Sequence, residues 1–218
     1  MTEPTVGVIT TVVGDYAVNC YIAYSPIDKV GVIIDPGDDA KRVQAKAEKS
    51  GIDIKYVINT HCHADHVGAV AELVKTNNAE YGRSAKETEL INASYTHDML
   101  TFLGLEGPPG PDFLLKEDEI FTVSPNLAMK VIETPGHTPG GLCFLFNEEV
   151  LFTGDSLFRM SIGRTDFPLS NHDDLMNSLL KKIVPLPDDI IVYPGHEAES
   201  TIGFEKLHNP FLTGRINS

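Results

Sequence analysis

The stretch His61-Cys62-His63-Ala64-Asp65-His66 places three imidazoles and one carboxylate within six residues. It follows 54–59, a short apolar run typical of a strand buried in the middle of a sheet. Where such a strand ends the chain turns, so side chains that alternated along it can converge on one point. Imidazole and carboxylate ligands together suit zinc, iron or manganese better than calcium. The stretch therefore predicts a transition-metal site at the end of a strand.

Three other segments repeat the order of strand, glycine turn and polar residue, and they end in Gly136-His137, Gly154-Asp155 and Gly195-His196. Glycine permits the tight or left-handed backbone that such a turn needs. Taken alone, each turn is equally consistent with an ordinary surface loop. Four such segments in one chain favour a single site to which all four strand ends contribute.

The composition excludes several classes of function. The 218 residues carry 17 Lys and Arg against 31 Asp and Glu, a net charge of 17 minus 31, or −14. This charge argues against nucleic-acid binding, which needs clustered basic residues, and against an anionic membrane surface. No apolar run reaches the roughly 18 residues of a membrane span, and Met1-Thr2-Glu3-Pro4 lacks the basic start of an export signal. Three cysteines are too few for a disulfide scaffold. We expect a cytoplasmic protein that binds neither nucleic acid nor a membrane.

The order of predicted elements indicates one domain, spanning 1–218, with layers of helix and sheet. A helix capped by Asp38 or Asp39 ends at Gly51, and a capping box of Ser170 and Asp173 opens a later helix. Helices are also predicted over 67–76 and over 84–103, the second capped by Ser84. Strands are predicted over 5–13, 20–24, 30–35, 54–59, 120–123, 128–133, 142–147, 150–153 and 190–193.

Together with Thr153-Gly154-Asp155-Ser156-Leu157-Phe158 and Gly163-Arg164-Thr165-Asp166-Phe167-Pro168, these motifs resemble the metallo-β-lactamase superfamily in order and spacing over nearly the whole chain. The last two motifs are similar to the short glyoxalase II-like branch, the hydroxyacylglutathione hydrolases. The resemblance implies an α/β fold, the four-layer αββα sandwich, with metals at one edge between two sheets. The β-rich segments 5–59 and 113–193 would supply one sheet each.

The resemblance also implies two divalent metal ions, with zinc favoured over iron or manganese. It assigns His61, His63 and His137 to the first ion, Asp65, His66 and His196 to the second, and Asp155 as the bridge between them. Metal ions lower the pKa of bound water from about 16 to about 7, so a metal-bridging hydroxide would be the nucleophile. Asp65 and Asp155 are the implied catalytic residues, Asp65 by orienting that nucleophile or moving protons.

The implied activity is hydrolysis of a thioester such as S-lactoylglutathione, a small-molecule substrate. The leaving group is a thiolate whose conjugate thiol has a pKa of about 8.5, so it departs without a strong general acid. Arg159 and Arg164 are candidate contacts for an anionic substrate, although Arg164 is equally suited to an ion pair with Asp166. Only 22 residues (218 minus 196) follow His196, so we expect no C-terminal helical domain of the kind that grips glutathione in longer relatives. A different thioester, a lactone or a small ester is therefore an alternative substrate.

The main alternative function is that of a mononuclear iron persulfide dioxygenase, a branch that shares these motifs. There the iron would be held by His61, His137 and Asp155, a set of two histidines and one carboxylate that leaves positions open for oxygen and sulfur. Cys62 lies between two predicted ligands. Alternation along an extended stretch points it away from them, which predicts a buried thiol rather than a nucleophile.

Overall fold

Two six-stranded sheets form the centre of the molecule, in a computed structural model that describes residues 4–215. In spatial order, the first sheet contains β1 (Gly7–Val13), β2 (Val18–Tyr24), β3 (Val30–Ile34), β4 (Asp53–Ile58), β5 (Glu80–Arg83) and β6 (Phe113–Leu114). The first three strands pair antiparallel, and the strands from β3 to β6 run parallel. The parallel strands therefore direct their carboxyl ends to one edge of the sheet.

The second sheet is built from the later part of the chain. Its strands are β7 (Ile120–Ser124), β8 (Leu127–Glu133), β9 (Leu142–Phe146), β10 (Val150–Gly154), β13 (Ile191–Pro194) and β14 (Ser200–Thr201), in the spatial order β14-β13-β10-β9-β8-β7. A small hairpin of β11 (Leu157–Phe158) and β12 (Ser161–Ile162) lies between β10 and β13 in the chain. The parallel pair β10 and β13 brings two of the predicted ligand loops to the same edge.

Helices cover the outer surface of each sheet. The helices of the first half are α1 (Ala40–Ser50), α2 (Ala64–Val67), α3 (Val70–Asn77), α4 (Thr88–Asn92) and α5 (Ser94–Leu103). Those of the second half are α6 (His172–Ser178), continued by a π-helical turn (Leu179–Ile183), and α7 (Ile202–His208). Among residues 4–215, no helix is both long enough and apolar enough to cross a bilayer.

The apolar core has three layers, which the alternation along β2 makes visible. Cys20 and Ile22 are fully buried against the helices of the first half, whereas Tyr21 and Ala23 are buried against the second sheet. A strand buried on both faces reads as a nearly continuous apolar run. The outer face of the second sheet packs on α6, α7 and the π-helical turn. The four-layer αββα sandwich is therefore confirmed.

Two details of the predicted elements were wrong. The first sheet is not limited to 5–59, because β5 and β6 extend it; four and two residues are too short to show an alternating pattern. The helix expected over 84–103 is three pieces: a 3₁₀ turn (Ala85–Glu87), α4 and α5. The break falls at Ala93, whose ψ of 140° is extended.

The predicted helix caps are only partly present. Ser84 caps its 3₁₀ turn by accepting the Lys86 N–H at 3.2 Å. Asp39 precedes α1 in a left-handed conformation (φ 53°) and makes no cap, because its carboxylate pairs with Arg42 at 3.0 Å. Asn171, not Ser170, caps α6 by accepting the Asp174 N–H at 3.1 Å.

Candidate metal centre

All seven predicted ligands lie at one end of the sandwich, where β4, β8, β10 and β13 end. They form two groups whose ligand atoms lie within 4.8 Å of one another, the first triad (His61, His63 and His137) and the second triad (Asp65, His66 and His196), with Asp155 close to both. The structure thus brings together every residue that the sequence selected from four separate loops. Binding of metal by these residues stays a prediction.

The loop after β4 is held in shape by Asn59, which is fully buried. The Asn59 Nδ2 donates to the carbonyl of His66 at 2.8 Å, and its Oδ1 accepts the Tyr81 hydroxyl at 2.9 Å. The His66 N–H in turn donates to the His63 carbonyl at 3.0 Å, so the chain reverses into α2 directly after His63. These bonds fold four ligands of one short segment towards the same point.

In the first triad, the ring nitrogens point at each other. The Nε2 atom of His137 lies 3.0 Å from Nδ1 of His63, and the His61 ring is 4.9 Å from both rings, measured between centroids. The other nitrogen of His137, Nδ1, donates to the backbone carbonyl of Arg164 at 2.7 Å. Since a neutral imidazole carries one proton, Nε2 of His137 keeps a free lone pair.

The tautomer of His61 follows from a chain of hydrogen bonds. The Thr60 hydroxyl donates to Oδ2 of Asp35 at 2.6 Å, so it can only accept from Nδ1 of His61, at 3.1 Å. The proton of His61 is therefore on Nδ1, and its Nε2 presents a lone pair. Partners of this kind fix the tautomer and the orientation of metal-ligating histidines.

The second triad contains a carboxylate of its own and faces another. Oδ2 of Asp65 lies 3.8 Å from Nε2 of His66 and 3.7 Å from Nε2 of His196. Nδ1 of His66 faces Oδ2 of Asp35 at 3.3 Å. Asn19 holds the loop of His196, because its Nδ2 donates to the carbonyls of Pro194 and Glu197 at 3.0 and 2.9 Å.

Asp155 lies between the two triads. Its Oδ1 is 3.5 Å from Nε2 of His66, and its Oδ2 is 3.5 Å from Nε2 of His137 and 3.7 Å from Nε2 of His196. Gly195 makes this approach possible, since a Cβ there would lie 2.2 Å from Oδ1 of Asp155. Asp155 is therefore placed to contact ions in both triads.

The protonation states of the first triad suit metal binding. Burial lowers the pKa of His61 and of His137, and burial together with the charge of His137 lowers the pKa of His63 to about 3. All three rings are therefore neutral at pH 7, which is the form that binds metal. Burial also lowers the pKa of His66, but the carboxylates around it outweigh this effect and raise the pKa to about 10. Without a metal, a proton on His66 supplies positive charge between these carboxylates.

The cluster fits a metal, because several of its buried polar atoms have no hydrogen-bond partner. Within residues 4–215 they are Nε2 of His61, Nε2 of His66 and Oδ1 of Asp155, whereas Nδ1 of His66 faces Oδ2 of Asp35. Most buried polar atoms in proteins have a partner, and an unpaired one is costly. The unpaired atoms face the centre of a cluster of imidazoles and carboxylates. That set suits a first-row transition metal.

Two buried carboxylates beside the ligand loops, Asp35 and Glu87, were missed by the sequence analysis. Asp35 is also within 4.8 Å of His61 and His66, but its oxygens already accept from the Thr60 N–H at 2.7 Å and from Asn59 Nδ2 at 3.2 Å. It therefore orients ligands rather than serving as one. The sequence did contain a pattern that indicates Asp35, since Asp35-Pro36-Gly37 also places a polar residue and a glycine turn at the end of a strand. Glu87, the second missed residue, follows no such pattern.

The two candidate substrate contacts lie outside the triads. The Arg164 guanidinium forms two hydrogen bonds with Asp166, at 2.9 and 2.8 Å, and covers the ring of Phe167 at 4.4 Å. Arg159 lies over the ring of Phe204 at 5.0 Å.

Cys62 is fully buried in the apolar layer beneath the helices, and burial raises the pKa of its thiol. The predicted buried thiol is confirmed.

Comparisons with known proteins agree with this geometry. The family model described as the Metallo-beta-lactamase superfamily matches residues 13–196. The curated hydroxyacylglutathione hydrolase GloC of Haemophilus influenzae is 36% identical over 204 residues, which cover 90% of this chain and 93% of that protein.

Two solved structures are also similar. The BLEG-1 B3 metallo-beta-lactamase is 34% identical with a TM-score of 0.87, and the match covers 95% of this chain and all of that one. TTHA1623, crystallised in a di-iron-bound form, is 32% identical with a TM-score of 0.83, covering 94% and 100%. The chain belongs to the metallo-β-lactamase superfamily.

Proposed function

We propose that the protein is a metal-dependent hydrolase of thioesters, with S-lactoylglutathione as the representative substrate. The observation that carries the proposal is the pair of adjacent triads with Asp155 between them. The similarity to a hydroxyacylglutathione hydrolase supports the choice of a thioester. A thiolate leaves readily without a general acid, which suits a site built from imidazoles and carboxylates.

The first triad would hold one divalent ion and the second triad another, with Asp155 contacting both. Ions bound there would lower the pKa of a water molecule and polarise the substrate carbonyl. We propose zinc, because three neutral imidazoles form a ligand set typical of catalytic zinc. The di-iron-bound form of TTHA1623 makes iron the main alternative, and manganese is a further one.

Asp65 and Asp155 have different roles in this proposal because they differ in exposure. The Asp155 side chain is only 12% exposed and lies against three imidazoles, so it would serve as a ligand to ions bound in the two triads. The Asp65 side chain is 25% exposed and faces both the second triad and solvent. It can therefore orient an attacking water molecule at Oδ2 and accept its proton.

Aromatic rings flank the centre on two sides, and each adjoins one of the candidate arginines. The Phe167 ring is 5.4 Å from that of His63, and the Phe158 ring is 6.1 Å from that of His196. We propose that substrate lies between these rings, with Arg159 and Arg164 attracting its negative groups. Arg159 is the stronger candidate, because Asp166 already neutralises Arg164.

We further propose that the partner is a small molecule and that the protein acts in the cytoplasm. Cys20, Cys62 and Cys143 are free and buried, which is consistent with a reducing compartment. The net charge of −14 disfavours nucleic acids and anionic membranes as partners.

The deciding experiment compares two reactions on the same zinc-loaded and iron-loaded protein. We expect hydrolysis of S-lactoylglutathione, measured as the appearance of free thiol, with two ions bound per chain. Oxygen uptake on glutathione persulfide, with one iron per chain and no hydrolysis, would instead establish the dioxygenase that uses His61, His137 and Asp155. Hydrolysis of lactones or simple esters but not of thioesters would retain the metallohydrolase and reject the proposed substrate class.

A further inference from the structure

Glu87 is a fully buried carboxylate that belongs to neither triad. It ends the 3₁₀ turn that follows β5, the strand beside β4, and so lies next to the loop of the first two ligands. Glutamate is almost never fully buried unless it is paired. Its partners here are backbone amides from two different ligand loops.

Each carboxylate oxygen of Glu87 holds one loop. Oε2 accepts the N–H of Cys62 at 2.7 Å, and Cys62 lies between His61 and His63. Oε1 accepts the N–H of Gly140 at 2.7 Å, three residues after His137. One side chain therefore joins the two loops that carry the three ligands of the first triad, and these loops come from different sheets.

The bonds are short and their surroundings are tight. Burial raises the pKa of Glu87, and the backbone N–H groups of Cys62 and Gly140 oppose that shift because they stabilise the ionised form. A Cβ at position 140 would lie 2.7 Å from Oε1 and 2.9 Å from Cγ of Glu87, so Gly140 lets the amide reach the carboxylate. The geometry leaves little freedom in the distance between the two loops.

The second triad is held by other residues. Asp35 contacts His66, and Asn19 holds the loop of His196. Because Glu87 donates to or accepts from none of these groups, its removal should disturb the first triad selectively.

We propose that Glu87 is a positioning residue that holds His61 and His63 against His137, and so sets the metal affinity of the first triad. The inference rests on the metal binding in the proposed function and is independent of the substrate.

The test measures zinc affinity, by competition with a chelator, in two backgrounds. His196→Ala leaves the first triad complete, and His63→Ala leaves the second triad complete. Glu87→Gln keeps the shape of the side chain but offers one acceptor oxygen to two N–H groups. We expect it to weaken zinc binding about 10- to 100-fold in the His196→Ala background, as is usual for residues that orient metal ligands. In the His63→Ala background we expect no change.

Glu205→Gln is the matched control. Glu205 is also buried and accepts a backbone amide, that of Met160 at 2.9 Å, but it holds α7 rather than a ligand loop. It should leave zinc affinity unchanged in both backgrounds. Gly140→Ala is the second variant, because it keeps the carboxylate and crowds it, and we expect the same selective loss.

Equal weakening in both backgrounds, or no weakening by either Glu87→Gln or Gly140→Ala, would overturn the assignment. If the background proteins themselves bind no zinc, the proposed metal site fails and this inference fails with it. If only the proposed role of Glu87 is wrong, the two background proteins still bind zinc, and the two failures are thereby distinguished.

Discussion

Both ends of the sandwich are made of polar turns, but they differ in whether their polar atoms have hydrogen-bond partners. At the end opposite the triads, Asp28 accepts the Ser124 hydroxyl at 2.6 Å and the Asn126 side-chain amide at 2.9 Å. The Thr5 hydroxyl likewise donates to Glu149 at 2.8 Å. These bonds, which are partly or fully exposed to solvent, join the early part of the chain to the second sheet. At the triad end, the buried Nε2 atoms of His61 and His66 and Oδ1 of Asp155 have no hydrogen-bond partner in the part of the chain that the structure describes.

The difference separates a structural end from a functional one. Exposed polar atoms can exchange their bonds for bonds to water at little cost, whereas a buried atom without a partner destabilises the fold. An arrangement of this kind is expected where a ligand completes the missing contacts. The comparison therefore predicts that substitutions at the triad end mainly lower activity, whereas substitutions at the opposite end mainly lower stability.

The largest expected effect is that of Asp155→Ala. It removes the carboxylate that lies between both triads, and we expect turnover of S-lactoylglutathione to fall at least ~10²-fold because metal activation of water is lost. The matched control is Asp28→Ala at the opposite end, which should retain turnover. Steady-state kinetics on both variants check the prediction, and equal turnover in the two would contradict it.

Asp35→Asn is expected to have the next largest effect. The Asp35 carboxylate fixes the Thr60 hydroxyl and faces His66, so it orients ligands of both triads. We expect metal affinity to fall about 10- to 100-fold, with the fold retained. Chelator competition measures the change, and circular dichroism reports the fold. Wild-type affinity in this variant would show that Asp35 orients nothing.

Replacing the arginines is expected to affect substrate binding rather than turnover. Arg164 is neutralised by Asp166, whereas within residues 4–215 no carboxylate pairs with Arg159. Arg159→Ala should therefore raise the KM for S-lactoylglutathione by up to about fivefold, as for a single exposed charge, and Arg164→Ala should raise it less. A larger increase in KM for Arg164→Ala than for Arg159→Ala would instead place the anionic group of the substrate beside Arg164.

The smallest effect on activity is expected at Asp28, where the change is in stability. Hydrogen bonds from Ser124 and Asn126 lower the pKa of Asp28. A carboxyl whose pKa is lower in the folded state contributes stability above its unfolded pKa, about 4 for Asp. That contribution is lost as the pH falls through the folded pKa.

Asp28→Ala should therefore have a lower Tm than wild type at pH 7, and the difference should shrink below about pH 4. Thermal unfolding between neutral and acidic pH measures it. A difference in Tm that does not depend on pH would show that the charge of Asp28 contributes nothing.

The sequence predicted the convergence of the seven ligands because each follows a strand within a local motif. Asp35 has the same local pattern and could have been found in the same way. Glu87 could not, because its importance comes from burial and from contacts with Cys62 and Gly140, which are distant in the chain. The break at Ala93 and the short β5 were missed for a related reason. Tertiary packing, rather than local pattern, determines both.

The most direct test of the account is the metal content of the wild-type protein, reloaded in parallel with excess zinc or excess iron, desalted and measured by elemental analysis. We predict two zinc ions per chain in the wild type, retained in Asp28→Ala and reduced in Asp155→Ala. A folded wild-type protein that retains no zinc and no iron would contradict the claim that these buried, unpaired atoms form a metal centre.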